Sequence, residues 1–233
     1  MNSVAPNLKI VIEACLKNGH RLVEDAELLL DFERHPTAVA VAVLAEEEFA
    51  KTFLLVLVSE GVVPWTLEVR RSLYSHECKH LIGVVVEWLG PPWEEQHRRL
   101  RAFVPGETAA LIPHDVAVAI NILRHEKIER MRTGYAFPNP EDDGLSRKIA
   151  EGLRDREKQR ALYVGVAPTG WVESLPSKVT RGEAIAELER AKQYGAFAED
   201  AFADRVLSFG EYQHFKEVVH AVFADLAGGA SEA

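Results

Sequence analysis

The residues able to do chemistry crowd into one stretch, Arg70-Arg71-Ser72-Leu73-Tyr74-Ser75-His76-Glu77-Cys78-Lys79-His80. Three patterns overlap there. His76-Glu77-Cys78-Lys79-His80 spells H-E-x-x-H, in which two histidines one helical turn apart bind zinc and the glutamate serves as base. Glu77-x-x-His80 spells E-x-x-H, one element of a di-iron helix site. Arg71 to His76 spells R-x4-H, the spacing of a ribonuclease motif.

Each metal pattern meets an objection. Lys79 sits between the would-be zinc ligands and would repel Zn²⁺. Nothing marks a third ligand, with His97, Glu94 and Glu95 as the candidates. A di-iron site needs a second E-x-x-H helix and two more glutamates. Glu94-x-x-His97, Glu211-x-x-His214 and Glu217-x-x-His220 have the spacing, and Glu46 or Glu47 could add a ligand. In a chain this rich in Glu such pairs also arise by coincidence. No metal or other cofactor is carried forward. Cys78 reads as core rather than nucleophile.

The elements that must position this stretch are helices. At 100° per residue Tyr74, Cys78, Leu81, Ile82 and Val85 share one face, and His76, His80, Gly83 and Glu87 share the opposite one. The first face suits a core. The second is polar and offers Gly83 for close approach, which suits a ligand or a second subunit. The pattern predicts one helix from about Thr66 to Leu89, stopped by Gly90-Pro91-Pro92. On such a helix Arg71 would point about 140° away from His76.

Two helices precede it. Asn7 to about Arg34 carries Ile10, Ala14, Leu22, Ala26, Leu29 and Leu30 at helical spacing, and His35-Pro36 ends it. Thr37 is then placed to cap a second helix running to Glu60. That helix is apolar nearly all round, so it belongs at the centre, and its charges need partners. Glu47 and Lys51 stand at i, i+4 in the favourable order. The alternative is that Glu46 or Glu47 orients a cation of the next helix, Arg70, Arg71 or His76.

Downstream, Trp93 to Phe103 reads as a short helix with Arg98, Arg99 and Arg101 clustered. Another helix covers roughly 113–133 and ends in Arg124, Lys127, Arg130 and Arg132. Pro138 to Gly144 is a loop, and Leu145 to Ala161 is a charged helix. From Arg124 to Arg160 ten Lys or Arg face eight Asp or Glu, the one clearly basic region, with ion pairs on a solvated face as its ordinary explanation. Leu162 to Val166 is β-prone. Thr180 to Glu183 and Ser208 to Glu211 have capping-box spacing and open two last helices. No repeat, Gly-rich phosphate loop or βαβ alternation is present.

The 233 residues, 47% hydrophobic, can bury a substantial core. A net charge of -9 argues against a general nucleic-acid-coating protein and leaves room for a local basic patch. Cys15 and Cys78 imply no disulfide framework and fit a reducing compartment. The N-terminus lacks the pattern of a signal peptide. The apolar stretch Ala38 to Val58 is interrupted by Glu46, Glu47, Glu48 and Lys51, which excludes an ordinary membrane span. A cytoplasmic protein without membrane contact is expected.

The stretch Asn18 to Leu30, then Ala38 to Lys51 ending Ala-Glu-Glu-Glu-Phe-Ala-Lys, resembles the first two helices of the AbiV abortive-infection family. His76-x-x-Lys79 is similar to that family's H-x-x-K stretch. Arg156-x-x-x-Arg160-Ala161-Leu162-Tyr163-Val164, followed by Trp171, resembles its R-x-x-x-L-Y-V segment. The pieces occur in order over about residues 15–175. Ala50 stands where that family has Gly, and Gly165 where Asp is common.

The resemblance implies an all-α, HEPN-like helical bundle over residues 1–175; the C-terminal helical pair, 176–233, is expected to pack on it as an appendage. It implies a bacterial role in phage defence. In the wider HEPN group R-x4-6-H marks metal-independent ribonucleases that work as dimers. Carried over, His76 is the acid–base group and Arg71 the cation for developing charge. Arg70, Glu47, Lys51, Lys79 and His80 would support them, and Arg156, Arg160 and Tyr163 would contact RNA. The alternative is a non-catalytic inhibitor that binds a phage or host protein. A homodimer is expected, with the His76/His80/Gly83 face in its interface. Coverage of that face by the C-terminal helices of the same chain is the competing expectation.

Overall fold

The structure, a computed structural model, describes residues 8–90, 112–130, 144–203 and 210–227. Among these the chain is almost wholly helical, as the sequence implies. The expected helix 93–103, the 138–143 loop and Ser208 lie outside the described residues.

Helix α1 (Lys9–Asp31) turns Ile12, Cys15, Leu16, Gly19, Val23 and Ala26 inward at three- and four-residue spacing. Gly19 is required there, because a Cβ would stand 2.4 Å from Phe49 Cε1. A tight turn through Glu33, whose φ is 57°, leads into α2 (His35–Ser59). Thr37 does not cap α2. The helix begins two residues earlier with Pro36 in its first turn, where a missing N–H costs nothing. Helix α2 is the centre of the bundle, buried from Ala38 to Val58 except along a half-buried stripe of Val41, Leu44, Glu48 and Lys51.

The expected helix 66–89 is two helices. Thr66 caps α3 (Leu67–Ser72) by accepting from Val69 N at 3.2 Å. After a turn, Ser75 caps α4 (His76–Leu89) by accepting from Cys78 N at 3.3 Å. The Ser75 hydroxyl offers the chain an alternative to continuing the helix, which periodicity does not register. Arg71 and His76 therefore occupy different helices.

Helix α5 (His114–Asn121) runs on as a π-helix, Ile122–Ile128. The expected charged helix 145–161 is also two: α6 (Gly144–Ala150) and α7 (Leu153–Leu162), broken at Gly152 with φ 88°. Strands β1 (Gly165–Val166) and β2 (Val172–Ser174) form an antiparallel hairpin with Val166 opposite Val172. Helix α8 (Arg181–Phe202) opens with the expected capping box: Thr180 Oγ1 accepts from Glu183 N, and Glu183 Oε2 accepts from Thr180 N at 2.6 Å. Helix α9 (Gly210–Phe223) follows.

Helix α2 packs against α1, α4, α7 and α8. Phe53 of α2 meets Phe197 of α8 edge-on at 5.0 Å and stacks on Phe215 of α9 at 6.2 Å. Each such fully buried ring contributes roughly 2–3 kcal/mol. The last two helices thus share the core of the bundle.

The face of α4 expected to point outward is covered. Tyr194 of α8 lies over Gly83, where a Cβ would stand 2.7 Å from its hydroxyl oxygen, and that hydroxyl donates to Glu87 Oε1 at 3.0 Å. His80 is buried as well. Tyr74, expected in the core, is 86% exposed because it falls in the turn before α4. The interface drawn through His80 and Gly83 is therefore corrected: α8 of the same chain occupies that face. No helix among the described residues is long and apolar enough to cross a membrane.

Candidate active site

Two adjacent glutamates of α2, Glu46 and Glu47, are each 2% exposed. A buried carboxylate must be paired or protonated, and the two do different things.

Glu47 gathers cations from two other helices. Lys79 of α4 donates to Oε2 at 2.6 Å, and Lys158 of α7 donates to Oε1 at 2.8 Å. Burial alone would raise the Glu47 carboxyl; the bonds from Lys158 and Lys79 outweigh it and hold the group at about 2. Glu47 is therefore a carboxylate. His76 Nδ1 lies 2.7 Å from Glu47 Oε2. Both Glu47 oxygens can only accept, so Nδ1 carries the hydrogen and donates. In the neutral ring that places the lone pair on Nε2, and the side chain is 46% exposed. A carboxylate that fixes the tautomer of an accessible imidazole is the arrangement general acid–base chemistry uses.

Lys158 Nζ also stands 3.3 Å from His76 Nδ1 and 3.0 Å from Asp155 Oδ1. Burial works against its charge, and the bonds to Glu47 and Asp155 prevail, raising it above the usual lysine value. His80 Nε2 lies 3.5 Å from Glu47 Oε1 with no hydrogen-bond partner among the described residues. Burial pushes this imidazole down to about 4 against the pull of Glu47, so His80 is neutral.

Glu46 faces the other way. Its Oε2 accepts from Arg154 Nη2 at 2.9 Å, and Arg154 also pairs with Glu187. Oε1 has no partner among the described residues. Burial and then the Glu187 charge push the Glu46 carboxyl well up, against the pull of Arg154. Arg190 continues the network from Glu187 Oε2 at 3.0 Å to Glu87 Oε1 at 3.3 Å.

Of the residues singled out in the sequence, Glu47, His76, Lys79 and His80 come together. Arg70 and Arg71 do not join them; both are exposed on α3, with no side-chain hydrogen bond or ion pair among the described residues. Lys51 pairs with Glu48 at 2.7 Å, not with Glu47. Lys79 and Lys158 have taken Glu47 instead. Arg156, Arg160 and Tyr163 lie on the outer side and end of α7: Arg156 Nη1 donates to Glu151 O at 2.6 Å, Arg160 meets Glu183 at 3.3 Å, and Tyr163 is 65% exposed. Sequence reasoning missed Lys158 and Arg154. They share a face of α7 with buried Ala161 at i, i+4 and i+7 spacing, and that face was the signal available.

Of the residues in the metal patterns, Glu94, Glu95 and His97 and the side chains of Glu211 and His214 lie outside the described part of the structure. No three His, Cys, Asp or Glu converge as ligands among the described residues. Two lysine ammonium groups occupy the cation positions around Glu47. Glu217 and His220 line a separate open groove with Glu60 and Lys216.

A family model described as AbiV, of HEPN type, matches residues 7–196. The chain belongs to the AbiV family. Membership points this AbiV-family chain to abortive infection, a form of anti-phage defence. Comparison with curated proteins and with solved structures gives no match.

Proposed function

We propose that this chain is an abortive-infection effector that acts as a metal-independent endoribonuclease. The observation that supports it is the Glu47–His76 pair, with Nδ1 bonded inward at 2.7 Å and Nε2 left for a substrate. Nε2 takes the proton of an RNA 2′-OH. The 2′ oxygen bonds to the adjacent phosphorus, and the P–O5′ bond breaks as O5′ receives a proton, leaving a 2′,3′-cyclic phosphate. Arg71, free on α3, reaches the phosphate from a second copy in a homodimer, and the His76 of that copy can supply the proton for O5′. Arg156, Arg160 and Tyr163 hold the strand beyond the cut. The reaction takes place in the cytoplasm.

A second reading is favoured by a different feature. The hairpin and its flanks expose Tyr163, Val164, Val166, Trp171 and Val172, with Trp171 77% exposed. Apolar surface of this kind suits a protein partner, as in an inhibitor that binds a phage or host protein without catalysis. His76→Ala separates the two. A ribonuclease loses RNA cleavage without added metal, and loses its growth arrest and phage protection. Full protection by His76→Ala would sink the catalytic reading and favour binding.

A further inference from the structure

The acid–base nitrogen of His76 is only as well aimed as the carboxylate behind it. Glu47 touches His76 through Oε2, which Lys79 also holds at 2.6 Å. A carboxylate fixed through one oxygen can still rotate about its Cγ–Cδ bond. The other oxygen is bound by Lys158 at 2.8 Å, from a helix 111 residues further along the chain. Lys158 is itself held at 3.0 Å by Asp155, and its helix is pinned one turn earlier by Arg154 on Glu46 at 2.9 Å. Its side chain is nearly buried, so it is poorly placed to meet a substrate directly.

We propose that Lys158 is a positioning residue for His76: it locks the plane of the Glu47 carboxylate so that Nδ1–H stays bonded inward and Nε2 stays the reactive nitrogen. The proposal rests on the ribonuclease reading for its kinetic consequence, and on geometry alone for its effect on the imidazole. A cation from α7 thereby completes a site whose sequence motif lies wholly in α3 and α4. Arg cannot reproduce a point charge on one oxygen fully, yet it keeps the charge and donors that hold Glu47.

The test uses the full chain with Lys158→Met and Lys158→Arg, each checked for folding by circular dichroism. Nitrogen-15 NMR of the His76 ring reads the tautomer. The Nδ1–H form is expected in wild type and in Lys158→Arg, and a mixture with Nε2–H in Lys158→Met. Cleavage of a single-stranded RNA reads the consequence. Lys158→Met should lower kcat about 10²-fold with KM changed less than about twofold, and Lys158→Arg should recover at least a tenth of wild-type kcat. If wild type cleaves and His76→Ala does not, while Lys158→Met keeps wild-type kcat and tautomer, the positioning role is overturned and the ribonuclease reading stands. If wild type does not cleave, the ribonuclease reading falls, and the tautomer in Lys158→Met still decides the role of Lys158. Should Lys158→Met not fold, Lys158→Gln is read in the same two ways.

Discussion

Glu46 and Glu47 are neighbours on one helix, equally buried, and they solve the same electrostatic problem in opposite ways. Glu47 has a lysine on each oxygen and is forced into the charged form. Glu46 shares Arg154 with Glu187, keeps one oxygen without a partner among the described residues, and is pushed towards the protonated form. The 100° between successive helical residues sends one carboxylate towards α8 and the other towards α4 and the half-exposed His76. Burial alone therefore does not mark the carboxylate of the candidate site. The discriminating features are a surplus of cations around it and a connection to an accessible imidazole.

The comparison breaks most sharply at Glu47→Gln. Removing that charge leaves buried Lys79 uncompensated and Lys158 with Asp155 alone, and unfolding free energy should fall by about 3–5 kcal/mol in urea denaturation. A loss under about 1 kcal/mol would show that the lysines find water instead.

Acid should act next. Glu47 is lowered from 4.5 to about 2 in the folded chain, so its contribution, about 3 kcal/mol, is complete above the unfolded value and lost as pH falls through the folded one. His80 is lowered from 6.5 to about 4, so folded His80 resists a proton that the unfolded chain accepts. Stability should therefore decline first between pH 6.5 and 4, then between 4.5 and 2. His80→Gln should flatten the first decline in urea midpoints measured against pH and leave the second. Glu46 has the opposite sign. Its raised carboxyl favours the fold at low pH, and that contribution is lost as pH rises through the folded value. Glu46→Gln should be neutral or stabilising at pH 8, where Glu47→Gln is most costly.

Arg154→Met should cost less than Glu47→Gln, about 1–3 kcal/mol. Glu46 can take a proton, and Glu187 keeps Arg190 at 3.0 Å. Equal losses in the two variants would mean that Glu46 stays charged. The smallest effect belongs to Lys51→Met, which removes a partly exposed pair with Glu48 and should shift stability by less than about 1 kcal/mol.

By itself the sequence determined that α2 is central, because a helix apolar all round has no face to give to water, and that its glutamates need cations from elsewhere. It determined the capping box at Thr180 and the crowding of ionisable side chains around His76. The ends of α3 and α6 escaped it, since a Ser cap and a left-handed glycine are single-residue decisions that leave helical periodicity intact on both sides. The fate of the two faces of α4 was decided only by tertiary structure. Periodicity reports that a helix has two faces, and only the arrival of Tyr194 settles that the second is covered at Gly83 while His76 and Glu87 on it stay exposed. The pairing of Glu47 with Lys158 was likewise set by packing. A buried carboxylate attracts whichever cation the fold brings within 3 Å, and α7, not the i+4 lysine of its own helix, brings it.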